Sequence, residues 1–355
     1  MHATIGAQPL TVPVLMSSTA VQTLPAALYR ERETYQTERR AVFGHSWLFL
    51  GHESQLVGPG SYISLSFAGF PLFAVRGKDG VIRAFHNVCR HRAGPLVEDG
   101  AGSCGENIVC RYHGWRYALD GRLASARDFG PASDFDVRDY GLIALRCETW
   151  HGFLFANMDA NAPSLEQTIA PLEREAGALG IERFVFKRFE THEIKCNWKT
   201  YVENYLEGYH IQDVHPGLNA AVDARRYEVN VAPPVIFHRA PPKGDATVAG
   251  LWAWLWPCLG VNVYTDGMMM ERMSPVGHDR TRLDYLYFFP ADLPTAEVER
   301  AIGSSAATTA EDIRITEAVQ RNLDAGVYET GRLSPKHEGG VAWFQGRILE
   351  ALDRA

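Results

Sequence analysis

Hydrophobic and polar positions follow three different patterns along this chain. From residue 25 to 43, apolar side chains recur every seven positions among many charges, which predicts an exposed amphipathic helix. The recurring residues are Leu28, Tyr35 and Val42. The preceding stretch, 1–23, consists largely of small and polar residues and predicts a loose arm.

From residue 47 to 157, short apolar runs alternate with turn signals, a pattern typical of antiparallel β-structure. The turn signals are Gly58-Pro59-Gly60, Lys78-Asp79-Gly80 and Asp120-Gly121. The predicted strands cover 47–50, 61–67, 71–75, 81–85 and 153–157.

After Pro163 the pattern becomes mixed. We predict a helix over 165–179 in two pieces, because Pro171 lacks the amide hydrogen that a helix interior needs. The other predicted elements are a strand over 184–195, a helix over 198–209, several strands within 226–289, and a helix over 297–323 with a candidate interruption at Gly303-Ser304.

These patterns define the α+β class and three segments. We expect an N-terminal arm and helix over 1–45, a β-rich domain over 46–160 and a mixed domain over 161–355, on which the first segment packs. A chain of 355 residues is long enough for about two domains.

Composition excludes some classes of function. The 35 basic and 42 acidic residues give a net charge of -7 without a basic block, so neither nucleic acid nor an anionic membrane is an expected partner. No signal peptide is expected, and the longest nearly apolar run, 251–264, is too short to span a bilayer. Four cysteines without a pairing pattern favour a reducing cytoplasm: Cys104, Cys147, Cys196 and Cys258.

Two short motifs in the β-rich segment bring together soft metal ligands. Cys89 and His91 form a Cys-X-His motif, and Cys110 and His113 form a Cys-X-X-His motif after 18 intervening residues. Two thiolates and two imidazoles are the ligands of a Rieske [2Fe–2S] cluster. A Cys2His2 zinc site uses the same donors. Zinc fingers, however, group two cysteines and then two histidines, so the mixed pairs favour the two-iron cluster.

A second candidate metal site centres on His210 and His215. Residues five apart differ by about 140° on an ideal helix, so these imidazoles converge only if the helix ends or distorts between them, and Pro216 favours an ending. With one carboxylate they would form the triad that holds non-haem Fe(II) and leaves positions open for oxygen. An ordinary helix–loop junction is the alternative.

Asp312 is the predicted third ligand. Helical spacing places it on one face with Ile315, Val319 and Leu323, where a carboxylate needs a compensating partner such as a metal. Of the neighbouring acids, Glu311 is predicted to be a charge at the helix N-terminus. Glu317 is predicted to face solvent. The alternative for Asp312 is a helix-start residue.

The two motifs together resemble the large (α) catalytic subunit of the Rieske non-haem iron oxygenases, from about residue 47 to 323. Asn197-Trp198-Lys199, and Glu311-Asp312 leading to Gln320, also resemble that family. The resemblance implies a Rieske domain joined to a catalytic domain whose antiparallel sheet is covered by helices, a helix-grip or START-like fold. It further implies a [2Fe–2S] cluster, a mononuclear Fe(II) and a homotrimer in which electrons cross between subunits.

The resemblance also assigns roles near the histidines. In the family, an acid three residues before the first iron histidine bridges the two centres, and this chain has Glu207 there. A carboxylate that is hydrogen-bonded to a ligand imidazole fixes its orientation. Glutamate at this position is similar to the branch that includes choline monooxygenase and acts on quaternary ammonium compounds. Asn204 and Tyr205, in the same run, are candidate catalytic and substrate-binding residues; the alternative for Glu207 is an exposed helix-end acid.

The expected activity is that of a terminal oxygenase that hydroxylates or dealkylates a small substrate with O2. No Gly-X-Gly-X-X-Gly motif follows a predicted strand, so NAD(P)H electrons are expected to arrive through a separate reductase or ferredoxin. The candidate pocket aromatics are Trp252, Trp254, Trp256 and Tyr264. Their rings would suit a trimethylammonium group or an aromatic ring of a substrate. The alternative is that they form part of the sheet core. Monooxygenation is favoured; the alternatives are the α subunit of a ring dioxygenase and a non-enzymatic Rieske electron carrier.

Overall fold

The computed structural model describes residues 21–243 and 250–354. The helices in these residues are α1 Ala27–Arg30, α2 Arg32–Ala41, α3 Leu165–Ala176, α4 Trp198–Tyr205, α5 Ile211–Val214, α6 Pro216–Ala221, α7 Thr295–Asp324 and α8 Gly339–Leu352. The strands are β1 Leu48–His52, β2 Ser61–Phe67, β3 Phe70–Arg76, β4 Ile82–His86, β5 Gly100–Ser103, β6 Ile108–Val109, β7 Arg116–Tyr117, β8 Leu123–Ser125, β9 Ala144–Trp150, β10 Phe153–Asn157, β11 Phe184–Ile194, β12 Glu228–Ala232, β13 Val235–Arg239, β14 Gly250–Leu255, β15 Leu259–Tyr264, β16 Gly267–Pro275 and β17 Thr281–Pro290.

These strands form two large antiparallel sheets and one small sheet. The first large sheet has the order β1-β10-β9-β4-β3-β2-β5, and the small sheet has the order β6-β7-β8. The second large sheet has the order β11-β17-β16-β15-β14-β13-β12, so its last six strands form a meander. The predicted α+β class and the helix-covered antiparallel sheet are confirmed.

Both faces of the second large sheet are covered by other elements. Side chains along each strand alternate between the two faces. Leu251, Ala253 and Val261 point to the face that packs on α3 and on the first sheet. Trp254 and Tyr285 point to the opposite face, which is covered by α4, α7 and α8. This second face, the helix-covered face, borders the candidate active site.

A buried arginine joins the two large sheets. The Arg272 guanidinium pairs with Asp284 (Nη2 to Oδ2, 2.7 Å) and donates through Nη1 to the backbone carbonyls of Phe49 (3.1 Å) and Leu50 (2.9 Å). Burying a guanidinium is tolerable only when its charge is paired and its donors are satisfied. Arg272 therefore fixes β1 of the first sheet against β16 of the second.

The N-terminal helix differs from its prediction. It is divided into α1 and α2 by extended backbone at Glu31, and Tyr35 and Val42 are buried, so the predicted exposed helix is wrong. The reason is that α2 carries Glu38 into the core, where Oε1 lies 2.6 Å from Lys199 Nζ and Oε2 accepts from the Trp198 indole at 2.9 Å. The predicted arm falls mostly on residues 1–20, outside the described part of the chain.

Three other helix predictions need correction. Helix α3 continues through Pro171, because burial of Leu165, Ile169, Leu172 and Ala176 along one face compensates for the missing amide hydrogen. Helix α7 shows no interruption at 303–304. Helix α4 ends at Tyr205 rather than Tyr209.

Strands β2 and β10 have their predicted bounds. None of the helices in 21–243 and 250–354 combines the length and apolarity needed to cross a bilayer.

Candidate metal centres and active site

Two similar loops carry the first set of metal ligands. Cys89 and His91 follow β4, and Cys110 and His113 lie between β6 and β7. Each loop closes on itself: the amide of Cys89 donates to the carbonyl of Gly94 (2.9 Å), and that of Cys110 to the carbonyl of Trp115 (2.9 Å). The loops thus present both thiols from constrained backbone.

The side chains of these loops fit a [2Fe–2S] cluster. Both cysteines are buried and free, and the ring centroids of His91 and His113 lie 4.6 Å apart. His91 Nδ1 is buried without a hydrogen-bond partner in the described residues, which is the state expected of a nitrogen reserved for a metal. A Cβ atom at Gly94 would lie only 3.1 Å from Cys110 Sγ, so glycine leaves space beside that sulfur.

A hydroxyl group that the sequence did not reveal lies next to one thiol. Tyr117 Oη accepts from the Arg90 amide (3.0 Å) and lies 3.2 Å from Cys89 Sγ. Burial and the bond to Cys89 raise the pKa of Tyr117, so it stays protonated and donates to the sulfur. No motif marks this tyrosine in the sequence.

The second set of ligands comes from the two ends of α5 and from the middle of α7. His210, His215 and Asp312 each offer a ligand atom within 4.8 Å of the others. His215 Nε2 lies 3.0 Å from Asp312 Oδ1 and 3.1 Å from His210 Nε2. The histidines flank the short helix α5, and the backbone leaves the helical conformation at His215 (φ -116°, ψ 81°), so the angular offset of a continuous helix does not apply to this pair.

Each of these ligands is held by a further side chain. Glu207 Oε1 lies 2.5 Å from His210 Nδ1, and Glu311 Oε2 lies 2.7 Å from His215 Nδ1. The Asn204 amide donates to Asp312 Oδ1 at 2.7 Å. Bonding at Nδ1 leaves both Nε2 atoms directed at the same point, as a metal site requires.

The charges of this cluster favour a cation. Burial lowers the pKa of His215, but hydrogen bonds and charges from Asp312 and Glu311 outweigh burial and raise it overall. With Glu207, three carboxylates surround two imidazoles. A divalent metal would compensate this excess negative charge.

The structure corrects the reasoning about helix α7. The buried side chains near Asp312 are Thr316, Gln320 and Leu323, whereas Ile315 and Val319 are about 40 % exposed. The inferred apolar face of Asp312, Ile315, Val319 and Leu323 was therefore wrong, although Asp312 does meet both histidines.

The predictions for the neighbouring acids were also wrong. Because α7 begins at Thr295, Glu311 lies mid-helix and is not an N-terminal charge. Glu317 is half-buried and its Oε1 accepts from the Lys195 amide at 3.1 Å, so it does not face solvent freely.

The candidate aromatics separate into two groups. Tyr205 Oη donates to Asn262 Oδ1 (2.6 Å), and the Trp252 indole donates to Tyr264 Oη (3.1 Å), both on the helix-covered face. Trp254 is fully buried against Phe344 of α8.

Trp256 lies beyond the end of β14. Its ring packs near Trp343 of α8, and its indole donates to Ser46 Oγ at 3.1 Å. The structure thus places Trp254 and Trp256 against the rings of Trp343 and Phe344 on α8 rather than with Tyr205.

A thiolate–imidazole site on a β-domain and a two-histidine, one-carboxylate site beside a helix-covered sheet define a Rieske-type, iron-dependent oxygenase. Family models agree: the Rieske [2Fe-2S] domain matches residues 46–141, and the ring hydroxylating alpha subunit (catalytic domain) matches residues 181–239 and 227–354. The chain belongs to the family of Rieske non-haem iron oxygenase α subunits. Members of this class carry a [2Fe–2S] cluster and a mononuclear iron.

Several proteins similar to this chain are named as monooxygenases of carnitine or choline. The chain is 33% identical to the carnitine monooxygenase oxygenase subunit of Acinetobacter baumannii, over 92% of this chain and 94% of that one. It is 28% identical to the chloroplastic choline monooxygenase of Arabidopsis thaliana, over 87% of this chain and 78% of that one. The quaternary ammonium Rieske monooxygenase CntA in complex with L-carnitine superimposes with a TM-score of 0.83 at 30% identity, over 94% of this chain and 95% of that one.

An aromatic-ring oxygenase shares the fold at lower similarity. Naphthalene 1,2-dioxygenase from Rhodococcus sp. gives a TM-score of 0.76 at 19% identity, over 94% of both chains. The comparisons therefore favour a monooxygenase over a dioxygenase.

Proposed function

We propose that this chain uses O2 to hydroxylate or oxidatively dealkylate a small quaternary ammonium compound or amine. The observation that carries the proposal is a set of aromatic rings on the helix-covered face: Tyr205, Trp252 and Tyr264. Like the residues of the three-ligand site, they belong to the C-terminal half of the chain. Faces of aromatic rings attract trimethylammonium groups. The similarity to carnitine and choline monooxygenases supports the same substrate class.

The residues that would hold the metals follow from the two donor sets. Cys89, Cys110, His91 and His113 would hold the [2Fe–2S] cluster. His210, His215 and Asp312 would hold the mononuclear iron. When bound, the cluster supplies single electrons and the iron supplies the site of dioxygen reduction.

The protein's own side chains position these ligands. Glu207 accepts a hydrogen bond at His210 Nδ1, and Asn204 donates to the Asp312 carboxylate, so neither ligand rotates freely. The same bonds hold each donor atom in its ligating orientation before the metal binds.

The assembly we propose is a homotrimer in which Glu207 bridges two subunits. The His113 side chain is exposed, and Glu207 lies beside His210 near the surface, where a neighbouring copy can approach. Electrons would come from NAD(P)H through a separate reductase or ferredoxin. The six free cysteines support a reducing, cytoplasmic location.

A substrate panel tests this function. The iron-loaded protein, coupled to a reductase, is given betaines, carnitine, choline and simple aromatics, and oxygen uptake is compared with product mass. We expect one added oxygen atom, or loss of an alkyl group, with at least one of the ammonium compounds. A cis-diol from an aromatic compound would instead identify a ring dioxygenase. Two irons per chain in place of three would identify an electron carrier.

A further inference from the structure

A buried acid lies within the helix-covered face of the second sheet. Strand alternation brings His238, Trp252, Asn262, Glu271 and Tyr285 to this face from five consecutive strands. Four of these side chains are neutral in their common forms. Glu271 is the exception, since an ionised carboxylate at 3 % exposure is costly without compensation.

Glu271 has hydrogen-bond donors but no cationic partner. Its Oε1 accepts from the hydroxyls of Tyr201 (2.8 Å) and Tyr285 (3.2 Å). In residues 21–243 and 250–354, no arginine, lysine or histidine forms an ion pair with it. The adjacent Arg272 points to the opposite face, where it pairs with Asp284.

Aromatic rings border this carboxylate. Glu271 pairs across the ladder with Gly260, and the Tyr205 ring lies 3.2 Å from the position that a Cβ of Gly260 would occupy. The Tyr205 ring therefore packs directly over Gly260, beside Glu271. Tyr205 also donates to Asn262, which is the cross-strand partner of Trp252.

Helix α4 connects this carboxylate to the three-ligand site. Tyr201 and Tyr205 belong to α4, as does Asn204, which holds Asp312. Burial raises the pKa of Glu271 to about 7, against the hydrogen bond from Tyr201, and the Asp312 charge raises it further.

A buried histidine without hydrogen-bond partners lies beside Tyr205. His238 is fully buried, and both of its ring nitrogens lack hydrogen-bond partners in the described residues. Its ring centroid lies 5.6 Å from that of Tyr205. Buried polar atoms are normally satisfied, so His238 leaves two unpaired polar atoms beside Tyr205.

We propose that Glu271 is the counter-charge for the cationic head of the substrate, which Tyr205 and Trp252 contact through their ring faces. This inference rests on the proposed substrate class and names the residue that selects charge. A bound ammonium group would supply the compensation that the described protein residues do not. A neutral tert-butyl group, of the same shape, would gain the ring contacts only.

The test compares Glu271→Gln with the wild-type, iron-loaded oxygenase. Glutamine retains an oxygen to accept from Tyr201 and Tyr285, so the fold is expected to persist; the Rieske absorption spectrum and thermal unfolding verify this. Dissociation constants are measured by calorimetry for γ-butyrobetaine and for its isostere in which carbon replaces the quaternary nitrogen. The matched control is Glu203→Gln, a partly buried acid, which is bonded to Tyr29 and Gln345.

We expect Glu271→Gln to weaken binding of the cation by on the order of tenfold or more, with the isostere little changed. Glu203→Gln should leave the ratio of the two constants as in the wild type. Equal weakening of both ligands, or an unchanged ratio in Glu271→Gln, would overturn the role of Glu271 alone. Failure of the wild type to bind any ammonium compound would overturn both the substrate class and this inference.

Discussion

Glu311 Oε2 lies 2.7 Å from His215 Nδ1, on the side of the imidazole opposite Asp312. The two adjacent acids of α7 therefore contact the two nitrogens of one ring. Asp312 meets the nitrogen that faces the metal position, and Glu311 fixes the orientation and tautomer of the ring.

Replacing Glu311 should weaken iron binding. Glu311→Gln removes the charged acceptor at His215 Nδ1, and losses of this kind typically reduce metal affinity by about 10–100-fold. Iron retained after dialysis against a graded chelator series measures the effect. Glu297→Gln, an exposed acid in the first turn of the same helix, is the control. Equal iron retention in the two variants would show that Glu311 does not support the site.

Replacing His210 should separate the two metal centres. His210→Ala removes one of three ligands, so we expect loss of the mononuclear iron and of turnover while the Rieske spectrum persists. Iron analysis should fall from about three to about two per chain. Retained turnover with a normal iron content would rule out the three-ligand site.

Tyr117 should raise the reduction potential of the cluster. Its hydroxyl, 3.2 Å from Cys89 Sγ, stabilises the more negative, reduced state. Tyr117→Phe is therefore expected to shift the midpoint potential downward in a spectroscopic redox titration. Tyr140→Phe, whose ring packs 5.9 Å from that of Trp115, is the control. A midpoint identical to that of the wild type would contradict the assignment.

The buried pair of Glu38 and Lys199 should be important for stability. Both side chains are fully buried, so Lys199→Met leaves an uncompensated carboxylate and is expected to cost about 3–5 kcal/mol of unfolding free energy. Chemical denaturation measures this loss. The double variant Glu38→Gln, Lys199→Met should recover much of it; no recovery would mean that packing, rather than charge, is responsible.

Glu203 should make stability depend on pH. Burial raises its pKa to about 7, despite hydrogen bonds from Tyr29 and Gln345. The native state thus holds a proton that the unfolded chain releases near pH 4.5, so stability from this group is lost as pH rises through about 7. Relative to Glu203→Gln, the wild type should lose roughly 3 kcal/mol between about pH 5 and pH 8. A pH-independent difference between the two proteins would contradict this.

The sequence was most informative where ligands lie close together in the chain. Cys89 lies close to His91 and Cys110 to His113 in the sequence, so the residue types and their mixed order together indicate the cluster. Strands with clear turn signals, such as β2 and β10, were likewise predictable to the residue.

Contacts between distant elements were harder to predict. Asp312 was chosen on an apolar face that the structure does not contain, since Ile315 and Val319 are exposed and the polar Thr316 and Gln320 are buried. Helical spacing cannot tell which side of a half-polar helix will be covered.

Acids that act through tertiary contacts gave no recognisable signal or only a weak one. Glu311 was interpreted as a helix N-terminal charge, because only the folded chain brings it to His215. Glu271 gave a weak signal, a charge within the methionine-rich run 268–273. Its meaning depends on the Tyr201 and Tyr285 hydroxyls, which come from other elements.

The hydrogen bonds from Arg272 to the backbone of β1 limit how the N-terminal half of this chain can be replaced by that of a related protein. Its guanidinium recognises the carbonyls of Phe49 and Leu50, which any residue at those positions would supply. A transplanted N-terminal half could therefore carry quite different side chains along this seam. The transplanted half could not carry an inserted or deleted residue in β1. A shift of one position would point those carbonyls away from Arg272 and leave its buried guanidinium without these acceptors.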